Sequence, residues 1–213
     1  MKHTARRSTR TALLSLAAVV ATAALAGCSD DADSVAASGT PKAAASSSPA
    51  AAPTELEQVR TATAAYADTA VAKAAGYTVW SPDPAAPKAT CPSSPEGKMG
   101  YHLVNPGLRG APPKAAEADA TIDFAKPEQL LYQKKADGTM ELVGVEYLVF
   151  KAAWERENGV GAAAPQVLGQ PVPASKHSFA PGGPEIEHYE LHVWLHTDNP
   201  NGMFAPYHPT ITC

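Results

Sequence analysis

The chain has 213 residues, with 17 Lys and Arg against 21 Asp and Glu, for a net charge of −4 with histidine neutral. That acidic balance, without any basic stripe, argues against nucleic acid and against anionic lipid headgroups as partners. The length allows one domain of ordinary size plus flanking segments.

The N-terminus is basic at Lys2, Arg6, Arg7 and Arg10, with no acidic residue before Asp30. An apolar run from Ala12 to Ala26 follows, interrupted only by Ser15 and Thr22. This is the charge and length pattern of a cleavable signal peptide, short of the roughly 20 apolar residues a membrane span needs. The run closes on Leu25-Ala26-Gly27-Cys28, which resembles the lipobox of bacterial lipoproteins. The resemblance covers residues 1–28. It implies a signal peptide over 1–27, a diacylglycerol on the Cys28 thiol, and an extracytoplasmic domain whose only membrane contact is that lipid. The residues flanking Arg6-Arg7 fit twin-arginine export poorly, which favours the general secretory route. Loss of the four positive charges takes the net charge from −4 to −8. Residues 28–53 are almost all Ala, Ser, Asp, Gly and Pro with no aromatic. Such a segment buries too little apolar surface to order itself and reads as a disordered tether reaching on the order of 25–30 Å.

Residues 54–213 form the predicted globular domain. Thr54-Glu55-Leu56-Glu57 has the form of a capping box. Leu56, Val59, Thr63, Tyr66 and Ala70 then recur at helical spacing, and Gly76 supplies a stop. The expectation is one long helix to Ala75. Short strands follow at Tyr77–Trp80 and Met99–Val104. Gln129–Lys134 and Met140–Phe150 flank Ala136-Asp137-Gly138, a strong hairpin signal. Period two in the second strand groups Val143, Val145, Tyr147 and Val149 on one face. After Trp154 the chain reads as loop. Glu185–His196 is the last strong strand, with His188, Glu190, His192, Trp194 and His196 on one face. The predicted fold is α+β: one long N-terminal helix packed on a mostly antiparallel curved sheet or partial barrel.

Of three cysteines, Cys28 is assigned to the lipid. Cys91 and Cys213 then pair most simply in an oxidising compartment; a metal or redox pair has no CxxC to support it. The histidines carry the chemical interest. Imidazoles on alternate strand residues stand about 7 Å apart and chelate a metal when a neighbouring strand helps. Glu146 lies in an otherwise apolar run, where an unpaired carboxylate is costly; His102 or Arg109 are its candidate partners. His102, Glu146 and His192 are therefore the candidate metal or ligand residues. The donor set suits a divalent transition metal, with Met99 and Met203 as added soft donors for copper. No nucleophile elbow, phosphate loop or HExxH spacing is present.

Ala75-Gly76-Tyr77, Met99 to Pro106, Leu130 to Tyr147 and Leu191 to Cys213 together resemble a group of secreted bacterial proteins. The resemblance spans most of the exported domain and implies a shared fold without an activity. Three functional readings follow: a tethered domain binding a small ligand or metal ion, a metal-dependent hydrolase or oxidoreductase at the same His/Glu site, or a structural envelope protein with no site.

Overall fold

A computed structural model describes residues 54–110 and 118–213. The signal-peptide, lipidation and tether readings fall on residues 1–53, outside the described residues. Among those described, no helix is long and apolar enough to cross a membrane.

The capping box forms: Glu57 N–H donates to Thr54 Oγ1 at 3.3 Å and Thr54 N–H to Glu57 Oε2 at 2.7 Å. The single long helix does not. Helix α1 (Glu55–Thr63) gives way to a 3-10 turn at Ala64–Ala67, and α2 (Thr69–Ala74) starts anew. The break is at Asp68, which is extended (φ −88, ψ 112) and caps α2 by accepting from Ala70 N–H at 2.8 Å. An aspartate is a better N-cap than a helix-interior residue. The Tyr66 carbonyl, freed from a regular helix, accepts from the Tyr132 hydroxyl on the sheet. The predicted stripe holds only through Tyr66: Val59 and Thr63 are buried and Leu56 and Tyr66 half-buried, but Ala70 is exposed and Ala72 enters the core instead, because the second helix starts anew.

The chain continues through β1 (Val79–Ser81), β2 (Ser93–Ser94), β3 (Gly97–Lys98), β4 (Tyr101–Val104), α3 (Pro106–Arg109), β5 (Gln129–Lys134) and β6 (Met140–Phe150). Then come α4 (Lys151–Asn158), β7 (Gln166–Val167), β8 (Gln170–Pro171), β9 (Ala174–Ser178) and β10 (Glu185–Val193). Six strands form one antiparallel sheet in the order β1-β4-β5-β6-β10-β9, curled into a half-barrel. The fold is thus mixed α/β with an antiparallel curved sheet, while the long helix is replaced by short ones. Strand β9 and the second half of helix α4 lie where the sequence reads as loop after Trp154. β9 (Ala-Ser-Lys-His-Ser) has no apolar alternation to detect; pairing with β10, from Glu185↔Ser178 to Tyr189↔Ala174, makes it a strand.

One bulge sets which side chains share a face. Leu131 pairs with Gly144 and Tyr132 with Leu142, so Val143 is the extra residue. An inserted residue reverses the in/out alternation beyond it. Val143 therefore joins Leu131, Trp194 and Ile211 in a small cluster. Leu142 joins Val145, Tyr147, Leu130, Tyr132 and the helix residues Val59 and Ala72 in the main core. This corrects the predicted grouping of Val143 with Val145. Gly144 has its own reason: a Cβ there would stand 2.5 Å from the Val193 carbonyl oxygen. Only glycine lets β6 and the end of β10 approach so closely.

Cys91 and Cys213 form a disulfide with Cα atoms 5.8 Å apart, closing a separation of 122 residues. It fixes the C-terminal tail beside the loop between β1 and β2.

The core also holds Glu128, 2% exposed, whose carboxylate accepts from Leu148 N–H at 3.0 Å. Burial pushes its pKa up to about 8 despite that bond. The folded state then holds a proton that the unfolded state, near 4.5, has released. The contribution is fully present below pH 4.5 and is lost as pH rises to about 8. Glu128→Gln removes the titration. Urea unfolding at several pH values should show the variant gaining stability over wild type across that window; a constant difference would refute the assignment.

Candidate metal centre

The half-barrel is what makes the site. Glu146 on β6 stands opposite His192 on β10 and Gln129 on β5. Gln129 stands opposite Val104 on β4, and His102 lies two residues before it, on the same face. Strands β4 and β10 are three places apart, roughly 14 Å in a flat sheet at about 4.8 Å per strand. Yet the His102 and His192 rings are 5.7 Å apart, centre to centre, at 80°. The curl folds the outer strands toward each other over Glu146.

Three donor atoms converge there. His102 Nε2 is 3.4 Å from His192 Nε2 and 3.1 Å from Glu146 Oε2; His192 Nε2 is 3.7 Å from the same oxygen. A tetrahedral metal with ligands at about 2.0–2.1 Å needs its donors about 3.3–3.4 Å apart. All three residues are buried, at 7, 1 and 3% exposure for His102, Glu146 and His192. Glu146 Oε2 has no hydrogen-bond partner, because the nearby imidazole nitrogens lie close without bond geometry. Buried polar atoms are rarely left so. Burial lowers the His192 pKa, against the opposing pull of the Glu146 charge; the neutral imidazole is the form that ligates metals. His192 also lies nearly parallel to Trp194, 6.4 Å away, and the indole N–H is fixed on the Ala205 carbonyl at 2.7 Å.

The centre opens onto a cavity of about 340 Å³, lined among others by Ser81, Met99, Arg109, Gln129 and Tyr207. Arg109 does not pair with Glu146. Its Nη1 donates to Gln129 Oε1 at 3.4 Å, and the guanidinium lies 5.2 Å from the Phe179 ring centre. Burial lowers its pKa while the Glu146 charge opposes the shift.

The same cavity is lined by His177 and Glu190. With His188 they form a second convergent group: His177 Nε2 and His188 Nε2 lie 3.2 and 3.1 Å from Glu190 Oε2. Burial pushes the Glu190 carboxyl up, but bonds from these two imidazoles in their protonated forms outweigh it and hold the group well below the usual carboxylate range.

The three residues singled out from the sequence thus meet at one point. Others of that face do not. His196 lies beyond the end of β10, with Nε2 3.0 Å from Thr63 Oγ1 on the helical side. Met203 packs against the main core, while Met99 reaches the cavity wall. His177 escaped sequence reasoning, since nothing in β9 signals a strand. Comparison of the chain with protein-family models, curated proteins and solved structures gives no match.

Proposed function

We propose that this chain is an extracytoplasmic, lipid-tethered domain that binds a divalent transition metal through His102, Glu146 and His192. The observation that carries the metal reading is the set of three buried donors spaced 3.1, 3.4 and 3.7 Å apart, one of them a carboxylate oxygen without a hydrogen bond. Two imidazoles and a carboxylate suit Zn²⁺, Cu²⁺ or Fe²⁺. Three protein ligands leave a further coordination position, and the adjoining cavity admits a small ligand, with Arg109 to favour an anionic one. The tether rests on the Cys28 lipobox. An intact mass of the mature protein beginning at diacylated Cys28 supports it; a mature chain that retains residues 1–27 sinks it.

The test of the metal centre is equilibrium zinc binding by the full-length chain against Glu146→Gln. Losing even an outer-shell partner costs 10–100-fold in affinity, so loss of a direct ligand should cost about a hundredfold or more. Equal affinity in the two proteins would overturn the assignment.

A second reading, a metal-dependent hydrolase, is favoured by the open cavity beside a two-histidine, one-carboxylate set. A zinc ion there supplies Lewis-acid activation of water or of a carbonyl oxygen. Ester or phosphoester turnover that requires zinc and vanishes in Glu146→Gln would establish it; zinc binding without turnover returns the first reading.

A further inference from the structure

We propose that His177, His188 and Glu190 form a second divalent-cation site on the wall of the same cavity, separate from the centre at His102, Glu146 and His192. His188 Nδ1 lies 2.7 Å from the Ile186 carbonyl oxygen, and His177 Nδ1 lies 3.3 Å from the Ser178 carbonyl oxygen. A carbonyl oxygen only accepts, so each Nδ1 carries the hydrogen. In a neutral imidazole the other nitrogen is then a bare lone pair. Both lone pairs face one and the same acceptor, Glu190 Oε2, at 3.1 and 3.2 Å.

Three electron-rich atoms do not gather unless something positive lies between them. Protons are another solution, but with both Nδ1 bonds kept they make two imidazolium rings 4.4 Å apart, one on the exposed His177 and one on His188 with 0% exposure. Two like charges side by side, one fully buried, carry a large desolvation and repulsion cost. One divalent cation removes both problems, because all three atoms become ligands. Two of the three donor separations are close to the tetrahedral edge of about 3.3–3.4 Å.

The surroundings fit a ligand shell. Metal-bound histidines almost always donate their other ring N–H to a carbonyl or carboxylate, and both do so here. Phe179 packs on both rings, with centroids 4.7 Å from His177 and 4.9 Å from His188. That fixes the ring planes and shields the group on one side. Imidazole and carboxylate donors select a borderline cation such as Zn²⁺ or Cu²⁺ over Mg²⁺ or Ca²⁺. His188, Glu190 and His192 follow one another on one strand face, with Glu190 and His192 about 7 Å apart along the backbone.

The experiment is zinc stoichiometry of the purified full-length chain by calorimetric titration, compared among wild type, Glu146→Gln and the double variant His177→Ala, Glu190→Gln. Differences between proteins cancel weak binding by residues such as His3 or Cys28. Buried His188 is left in place so that the fold is not at stake, and a matching urea midpoint for the double variant checks this. The expected result is two equivalents in wild type and one in each variant. Two equivalents in the double variant would overturn the second site. One equivalent in wild type, lost only in Glu146→Gln, would overturn it while leaving the first centre standing. One equivalent lost only in the double variant would support it and overturn the first centre. No binding in wild type would overturn both.

Discussion

Zinc at a hundredfold excess over its dissociation constant should stabilise the full-length chain by about 2.7 kcal/mol. For a domain of this size that is roughly 5–10 °C in Tm. Glu146→Gln should remove the part of the shift that the His102, Glu146 and His192 centre supplies. In chelator-treated protein the same substitution should act with the opposite sign. Glu146 is 1% exposed with an unbonded Oε2 beside two imidazole nitrogens. A glutamine amide offers N–H donors to those nitrogens and carries no charge. An unsatisfied buried polar atom costs about 1–3 kcal/mol, so the metal-free variant should be more stable than metal-free wild type by up to that amount. Two signs in one variant distinguish a ligand from a structural carboxylate. If metal-free Glu146→Gln is the less stable protein and wild type shows no zinc shift, Glu146 is a structural residue and the centre does not exist.

Removing the disulfide should have the largest effect on stability alone. Cys91 and Cys213 are separated by 122 residues. Loop-closure entropy for a loop of that length gives about 4–5 kcal/mol, as an upper figure, or roughly 10–20 °C in Tm. The double variant Cys91→Ser, Cys213→Ser should lose most of that in urea unfolding; a loss below about 1 kcal/mol would show that the bond does not restrain the unfolded chain. The effect on zinc affinity should be smaller. Tyr207, in the tail, lines the cavity, but the tail is also held by Lys134 N–H donating to the Thr212 carbonyl at 3.1 Å and by the Thr212 hydroxyl on the Lys134 carbonyl at 2.6 Å. The disulfide therefore secures the wall rather than building the centre.

The centre also explains an oddity of the sequence. Val143 to Val149 is apolar except at Glu146 and Gly144. Both exceptions answer to β10: Gly144 yields space to the Val193 carbonyl, and Glu146 pairs across to His192. A run that looks like a core strand is one on both faces, broken on one of them by the carboxylate that faces His102 and His192.

Local signals were legible where the interaction is short in sequence. The capping box at Thr54 and Glu57, the Asp137-Gly138 hairpin and the alternation of β10 all depend on neighbours within a few residues. The pairing of Cys91 with Cys213 followed from the cysteine count and an expected oxidising compartment. The convergence of His102, Glu146 and His192 was open to guesswork from residue type, because few polar groups sit in apolar strands without a partner. What remained hidden depends on distant contacts. The bend at Asp68 arises where short helices follow a curved sheet, and the bulge at Val143 arises from register with β5. Strand β9 exists only through pairing with β10, so His177 could not be placed. The distance between His102 and His192 is set by sheet curl, summed over β4, β5, β6 and β10. The sequence alone determined which side chains share a face where a strand is regular, as at Glu190 and His192 in β10, because period two is a property of each regular strand; at the β6 bulge it did not. Which strands curl together, and so which of those faces closes into a site, was decided only by the tertiary structure, because curvature is a property of the whole sheet.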